Sequence, residues 1–171
     1  MKLAHIRSET PGEINETLRA LARHMNERGA RVVGGVQVNR AATSADAPSD
    51  MDLELLPDGK VIRISQRLGP GSSGCRLDPA QLETAVGICS GRLANGADLL
   101  IVNKFGAHEA EGRGFRDLIG QALAEDVPVV VGVASAKLPA FRDFVGDLSQ
   151  ELPCELDALR AWCLEETNSA Q

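Results

Sequence analysis

The apolar positions of the chain change period several times, and each change marks an element. Residues 3–6, "LAHI", are a short apolar run; after the polar "RSETPGEIN", Ile14, Leu18, Leu21 and Met25 recur at helical spacing. This predicts strand, loop and helix, with the helix stopping near Gly29. "RVVGGVQV" at 31–38 is β-branched and apolar enough for a second buried strand, so the chain opens with a βαβ unit. Residues 40–50 are small and polar and predict a loop inside the domain, because strand patterning resumes at once. "MDLELLPDGKVIRIS" alternates in two runs about Pro57, Asp58 and Gly59, a hairpin with one buried face.

A glycine-rich loop follows. Leu82, Val86, Cys89 and Leu93 then fall on one helical face, behind Asp78 as N-cap and Pro79 at the first helical position. "ADLLIVN" at 97–103 is a continuous apolar strand, Phe115, Leu118, Ile119 and Leu123 restore helical spacing, and "VPVVVGV" at 127–133 is another buried strand. Helices over 138–147 and 155–165 close the pattern. Fully apolar strands alternating with helices predict a mainly parallel sheet covered on both faces. The expected architecture is one three-layer α/β domain over residues 1–165 with an inserted β-hairpin, followed by a disordered tail at 166–171.

Composition narrows the function classes. The chain has 171 residues, 43% of them hydrophobic, enough for a single domain with a substantial core. A net charge of −6 argues against the basic face that nucleic-acid binding requires. Aromatic residues are only 3%, with no Tyr, so a base-stacking platform is not expected either. No stretch approaches the roughly 18 apolar residues of a membrane span, and the start does not read as a signal peptide. The expected setting is the cytoplasm, without membrane insertion. The four cysteines, Cys75, Cys89, Cys154 and Cys163, are too scattered for a zinc pattern and read as reduced packing residues, Cys75 in the glycine loop being the exception.

Ligands of open α/β sheets bind at the carboxyl ends of the strands, which directs attention to the loops there. The first of them, "RSETPGEIN", lacks the Lys and the paired hydroxyl of a phosphate-binding P-loop. Arg7, Ser8, Thr10 and Gly12 are weaker candidates for an anion site at the helix N-terminus, opposed by Glu13 and Glu16; the alternative is a plain capped turn. "VNKFGAHEAEGRG" at 102–114 is the richest polar cluster after a buried strand. Asn103 and Lys104 stand where a P-loop enzyme carries its Mg²⁺-supporting acid, and Lys104 and Arg113 are candidate anion contacts. His108, Glu109 and Glu111 offer acid/base groups, but with no second His at a ligand interval no metal site is assigned. In "SQRLGPGSSGCRLD" at 65–78, Ser72, Ser73 and Gly74 could present a nest of backbone N–H groups, with Arg67 and Arg76 supplying bidentate pairing to an oxyanion. A flexible hairpin-to-helix connection is the alternative there.

Taken together, "GGVQVNR", "DMDLELLPDGKVIRISQRLGPGSSGCRLDP" and "ADLLIVNKFGAHEAEGRGFRD" resemble the bacterial family domain of unknown function 2478, over residues 3–164. The resemblance implies a link to molybdenum metabolism, because members are often encoded beside molybdate-transport genes, and hence molybdate-transport or molybdoenzyme components as partners. The family in turn resembles thermophile-type P-loop nucleoside triphosphatases in element order: the hairpin with Asp58 and Gly59, the glycine loop, and Gly106 with Glu109 fall in matching sequence. The match breaks at "RSETPGEIN" and at "VNKFG", so the P-loop-like fold carries over and hydrolysis does not.

Three functions compete. The first is a non-hydrolytic protein binding a small oxyanion or phosphorylated ligand through Arg67, Arg76, Lys104 and Arg113, with molybdate or a Mg²⁺ nucleotide as ligand. The second is a nucleoside triphosphatase with an altered phosphate loop, in which Glu109 positions water and Lys104 replaces the missing lysine. The third is a regulatory or assembly protein without a small ligand. A homodimer is compatible with each.

Overall fold

The structure is a computed structural model that describes residues 2–40, 50–66 and 76–168, and within them seven strands form one sheet. β1 (Leu3–Ile6) leads through a polar loop to α1 (Glu13–Glu27), β2 (Val32–Arg40), and the hairpin strands β3 (Asp50–Leu56) and β4 (Lys60–Arg63). Then come α2 (Pro79–Ala94), β5 (Leu99–Phe105), α3 (Ala107–Ala110), α4 (Arg116–Ala124), β6 (Val129–Val133), α5 (Leu138–Val145), β7 (Ser149–Glu151) and α6 (Leu156–Asn168). The strand order is β4-β3-β2-β5-β6-β1-β7. β2, β5, β6, β1 and β7 are parallel, and the β3–β4 hairpin extends the β2 edge antiparallel.

Alternation along the central strands explains how continuous apolar runs are buried on both sides. Leu100 and Val102 of β5, with Val129, Val131 and Val133 of β6, pack in the core that includes Leu82, Leu93, Leu118 and Phe141 from α2, α4 and α5. Leu99 and Ile101, with Val130, pack in the opposite core with Leu18 and Leu21 of α1 and Leu159 and Trp162 of α6. The result is the expected three-layer sandwich. α2 crosses β2 against Gly34, whose φ is 122° and where a Cβ would lie 1.9 Å from the Ile101 carbonyl oxygen. A side chain there would push β5 away.

Local chemistry places most boundaries. Asp78 caps α2 in an extended conformation, its carboxylate accepting from the N–H of Ala80 at 3.1 Å and of Gln81 at 3.3 Å, with Pro79 opening the helix. The stems of the glycine loop pair with each other: Gln66 N–H donates to Arg76 O at 2.6 Å, Asp78 N–H to Ile64 O at 2.7 Å, and Ser65 bridges Leu77. The connection between β4 and α2 is therefore a second, antiparallel extension of the hairpin at its described ends.

Three boundaries differ from the sequence expectation. The helix expected around Phe115 is preceded by a separate short turn of helix, α3, because Gly112 and Gly114 both adopt positive φ between α3 and α4. β7 adds an edge strand beside β1 from the polar "SQE", whose three residues are too few to show a period. α6 runs to Asn168, beyond the expected limit at 165, and Thr167 Oγ1 donates back to Cys163 O at 2.8 Å. Among the described residues no helix is long and apolar enough to cross a membrane.

Candidate functional site

The carboxyl end of β5 is joined to its neighbours through one buried amide. Asn103 Oδ1 accepts the Gln37 N–H of β2 at 2.9 Å, and Asn103 Nδ2 donates to Asn15 Oδ1 in the first turn of α1 at 2.8 Å. Because a backbone N–H can only donate, Gln37 fixes which way the Asn103 amide faces, and that in turn obliges Asn15 to present its oxygen. Lys104, the next residue, is exposed and makes no ion pair among the described residues.

The turn after β5 is organised around Glu109, which is only 4% exposed. Its Oε2 accepts the Gly106 N–H at 3.0 Å and its Oε1 the Phe115 N–H at 3.2 Å. Glu83 of α2 takes the Gly114 N–H at 2.8 Å. Gly114, at φ 62°, is required in this arrangement, since a Cβ would sit 2.2 Å from Glu109 Oε1. The two carboxylates close the segment 106–115 against β5 and α2 by satisfying three backbone donors that no secondary structure would otherwise pair.

Between this turn, the β3–β4 hairpin and the start of α2 lies a cavity of about 280 Å³. Its wall brings together the sequence candidates Arg76, Asn103, Lys104 and Glu109, and adds His108, whose Nε2 is buried without a hydrogen-bond partner. Most of the remaining wall is apolar: Met51, Leu53, Ile64, Leu77, Leu82 and Phe115. Of the polar groups, Asn103 and Glu109 are committed to the protein's own hydrogen bonds, and Lys104 is an exposed cation in the wall.

Other candidates lie elsewhere. Arg67, Ser72, Ser73 and Gly74 are outside the described residues, as is Cys75. Arg113 is not part of the cavity wall; its guanidinium pairs with Glu111 on the surface. Arg7 turns to the sheet edge, donating through Nε and Nη2 to Glu151 Oε1 at 3.0 and 2.6 Å, which holds the Glu151 carboxyl below its ordinary pKa. Ser8 Oγ donates to the Glu13 carboxylate and accepts the Thr10 N–H at 3.0 Å. Gly12 precedes α1 with φ 80°, and the first helical turn carries Glu13 and Glu16. That helix end is already faced by the chain's own acids, so Arg7, Ser8, Thr10 and Gly12 do not converge on an anion cradle. Among the described residues, no group of three or more His, Cys, Asp or Glu side chains could hold a metal ion.

Sequence reasoning missed Asn15 and Gln37, which position Asn103, and the apolar wall contributed by Met51, Leu53 and Leu82. The signal for the wall was present in the alternation of the hairpin. Nothing in the sequence pairs Asn15 with a residue 88 positions away.

Residues 3–162 match the family described as "Protein of unknown function (DUF2478)". A protein named molybdenum import ATP-binding protein ModC 2, from Bradyrhizobium diazoefficiens, is 32% identical over 161 residues; the match takes in 94% of this chain but only 18% of that protein. The chain thus spans less than a fifth of this curated relative. THEP1 from the hyperthermophile Aquifex aeolicus superposes with a TM-score of 0.63 at 15% identity, covering 96% of each chain. A human cancer-related nucleoside triphosphatase gives a TM-score of 0.63 at 12% identity over 100% of this chain and 98% of its own. At these identities the two structures establish the fold, which is that of the P-loop nucleoside triphosphatases, and nothing about the site.

Proposed function

The chain belongs to the DUF2478 family, and from that premise we infer that it is a ligand-binding module of P-loop-like fold, recognising a small oxyanion-bearing or phosphorylated ligand without hydrolysing it. The observation that carries this reading is the convergence of Arg76, Asn103 and Lys104 on one cavity at the carboxyl ends of β2 and β5, where open α/β sheets bind their ligands. Lys104 supplies the cation, and Asn103 holds the strand end in place.

Hydrolysis is left out of the reading because the groups it needs are otherwise occupied. Phosphate-binding loops follow their last glycine with a Lys and a hydroxyl, and support Mg²⁺ with an acid at a neighbouring strand end. Here Gly12 is followed by Glu13 and Ile14, and Glu13 receives the Ser8 hydroxyl. Asn103 stands at the strand end, bonded to Asn15 in the space between strand and helix. These residues do not fit a Mg²⁺ triphosphate at the β1–α1 loop, which supports reading that loop as a degenerate Walker A motif. Glu109, the alternative water-positioning base, has both oxygens on backbone N–H groups.

The largely apolar wall favours a phosphorylated or otherwise anionic organic ligand over bare molybdate, whose full shell of oxygens would go unpaired there. The name of the Bradyrhizobium relative supports a role beside molybdenum import and nucleotide binding, as one segment of a much longer protein in that case. A cytoplasmic location, partners among molybdate-transport or molybdoenzyme components, and homodimer formation belong to the same reading; sedimentation analysis addresses the last.

Isothermal titration with molybdate, tungstate, phosphate and ATP tests it. The expected result is saturable heat with at least one of them, weakened by Lys104→Met, and phosphate release from Mg²⁺–ATP at the buffer background for both the wild type and Glu109→Gln. Absence of heat with all four at millimolar concentration overturns the binding reading. Phosphate release that Glu109→Gln abolishes overturns the non-hydrolytic one.

A further inference from the structure

The wall of the cavity between β5, the hairpin and α2 narrows the class of anion that suits it. Met51, Leu53, Ile64, Leu77, Leu82 and Phe115 line most of it, and their side chains bring no strong donor or acceptor. The polar residues that could read a sugar or a base are already engaged: Asn103 with Gln37 and Asn15, Gln37 with Asn39, and Glu109 with the N–H groups of Gly106 and Phe115. The hydroxyls and ring edges of a nucleoside would be buried against carbon, at a cost for each unpaired polar group. Lys104 differs from the other polar residues. It is exposed, it makes no ion pair among the described residues, and its stem passes Gly106, where a Cβ would meet Lys104 Cδ and Cε at 3.8 Å. Counting Arg, Lys, Asp and Glu, the wall sets Arg76 and Lys104 against Glu109, one net positive charge. That balance matches a single negative charge on the ligand. At about 280 Å³ the space lies just below the roughly 300 to 1,000 Å³ of pockets for drug-sized ligands, so the ligand body is small.

We propose that this cavity takes a small monocarboxylate with an unsubstituted apolar body, a short-chain aliphatic or phenyl-bearing acid, its hydrocarbon among Met51, Leu53 and Phe115 and its carboxylate at Lys104. This rests on the reading of the cavity as an anion-binding site and goes beyond it by setting such carboxylates above nucleotides and phosphate esters. A phosphate ester carries more than one negative charge at neutral pH, which the single net positive charge of the wall leaves unmatched and the Glu109 carboxylate opposes. The carboxylate gains instead from each methylene that enters the apolar wall, about fourfold in affinity for every one fully buried. Bare molybdate has no hydrocarbon to bury and gains nothing from that wall.

Titration of the full chain with acetate, hexanoate, phenylacetate, phenylacetamide, inorganic phosphate and AMP tests this, using calorimetry for affinity and the methyl resonances of Leu53, Ile64 and Leu82 for the place. The expected result is that hexanoate or phenylacetate binds at least tenfold more tightly than acetate, phosphate and AMP, and moves those methyl resonances. Phenylacetamide, the same body without the charge, should bind at least tenfold more weakly than phenylacetate. Lys104→Met should weaken carboxylate binding about tenfold. Met51→Gln, which keeps the length of a half-buried wall residue and makes it polar, should do the same, with an unchanged amide spectrum outside the cavity as the check on folding. Phosphate or AMP binding as tightly as both larger carboxylates overturns the proposal while leaving the anion-binding reading intact, as does acetate binding as tightly as they do. Equal binding of phenylacetamide and phenylacetate overturns the part given to Lys104. No binding by any of the six compounds overturns both the proposal and the reading beneath it. Carboxylate binding that leaves the three methyl signals still and ignores Met51→Gln overturns the place given to the ligand.

Discussion

Asn103 donates to Asn15 across 2.8 Å, joining the end of the central strand to the first turn of α1 by one amide–amide hydrogen bond. In a hydrolase of this fold the corresponding region separates a phosphate loop from an acid and leaves room for a metal ion between them. Here the two elements are joined directly, and the Gln37 N–H sets the direction of the join. The same contact therefore stabilises the sheet-to-helix packing and leaves no acid at the strand end.

Replacing Asn103 should accordingly damage stability. Asn103→Ala removes both bonds and leaves the Gln37 N–H unpaired beside the sheet, a loss of about 2–3 kcal/mol for one unsatisfied buried donor and one lost side-chain pair. Asn103→Asp keeps an acceptor for Gln37, and Asn15 can turn its amide to donate, so its cost should fall below that of alanine at neutral pH. Urea denaturation followed by circular dichroism checks the order: midpoints should run wild type, then Asn103→Asp, then Asn103→Ala, with unchanged slopes. Equal midpoints for wild type and alanine would show that the bond contributes nothing.

Glu109 and Gly114 should behave as a coupled pair. Glu109→Ala frees the N–H groups of Gly106 and Phe115 and should cost about 2 kcal/mol. Gly114→Ala places a Cβ against the carboxylate in a left-handed conformation and should cost at least as much, the left-handed backbone alone accounting for about 1–2 kcal/mol. In the double variant the clash is gone, so its loss should fall short of the summed single losses by about 1 kcal/mol or more. Strict additivity in a double-mutant cycle would separate the two residues.

The layered sheet was legible because its information is local. Strand β5 is apolar at every position from Leu99 to Val102, and the hairpin alternates around Pro57, Asp58 and Gly59. Asp78 with Pro79 announced the start of α2 and is found capping it. What escaped the sequence was either too short to have a period, as in β7, or depended on distant partners. Glu109 stood out as a chemically interesting acid, but its role in holding the turn is set by Phe115 and Gly114, which become its neighbours only once the turn closes. Lys104 and Arg76 were singled out by residue type and meet at one cavity. Arg113, equally plausible by type, pairs locally with Glu111 because two residues of separation in an exposed turn suffice. The glycine loop's own groups from Arg67 to Cys75 lie outside the described residues.

Thiol reactivity should follow burial. Cys89 lies on the buried face of α2 with its Sγ 3.5 Å from the Gly34 carbonyl oxygen, and burial pushes its pKa up to about 11. Cys163, on the buried face of α6, is pushed up to about 12 by the same desolvation. At pH 8 only about one Cys89 in a thousand would be thiolate, the reactive form. With Ellman's reagent and peptide mapping, both should label only after unfolding, while half-buried Cys154, hydrogen-bonded to Thr17 at 3.6 Å, should label earlier. Labelling of Cys89 at the rate of a free thiol would contradict its placement.

The sheet edge at β1 and β7 should make the protein sensitive to mild acid. His5 is buried against the Phe141 ring, with Nδ1 2.7 Å from Ser149 Oγ and Nε2 3.7 Å from Glu151. Burial lowers its pKa from 6.5; the Glu151 carboxylate opposes this, while the positive charges of Arg7 and Arg142 reinforce it. The unfolded chain therefore binds a proton that the folded chain resists. This contribution is fully present above the unfolded value of 6.5 and is lost as pH falls from there through the lowered folded value. Glu151 has the same sign at lower pH: Arg7 lowers its pKa from 4.5, so its contribution is present above that value and fades below it. Wild-type stability measured in urea should decline from pH 7 to pH 5, and His5→Phe should flatten that interval while leaving the decline below pH 4.5 in place. A His5→Phe protein with the wild-type slope between pH 7 and pH 5 would assign the acid sensitivity to a different group.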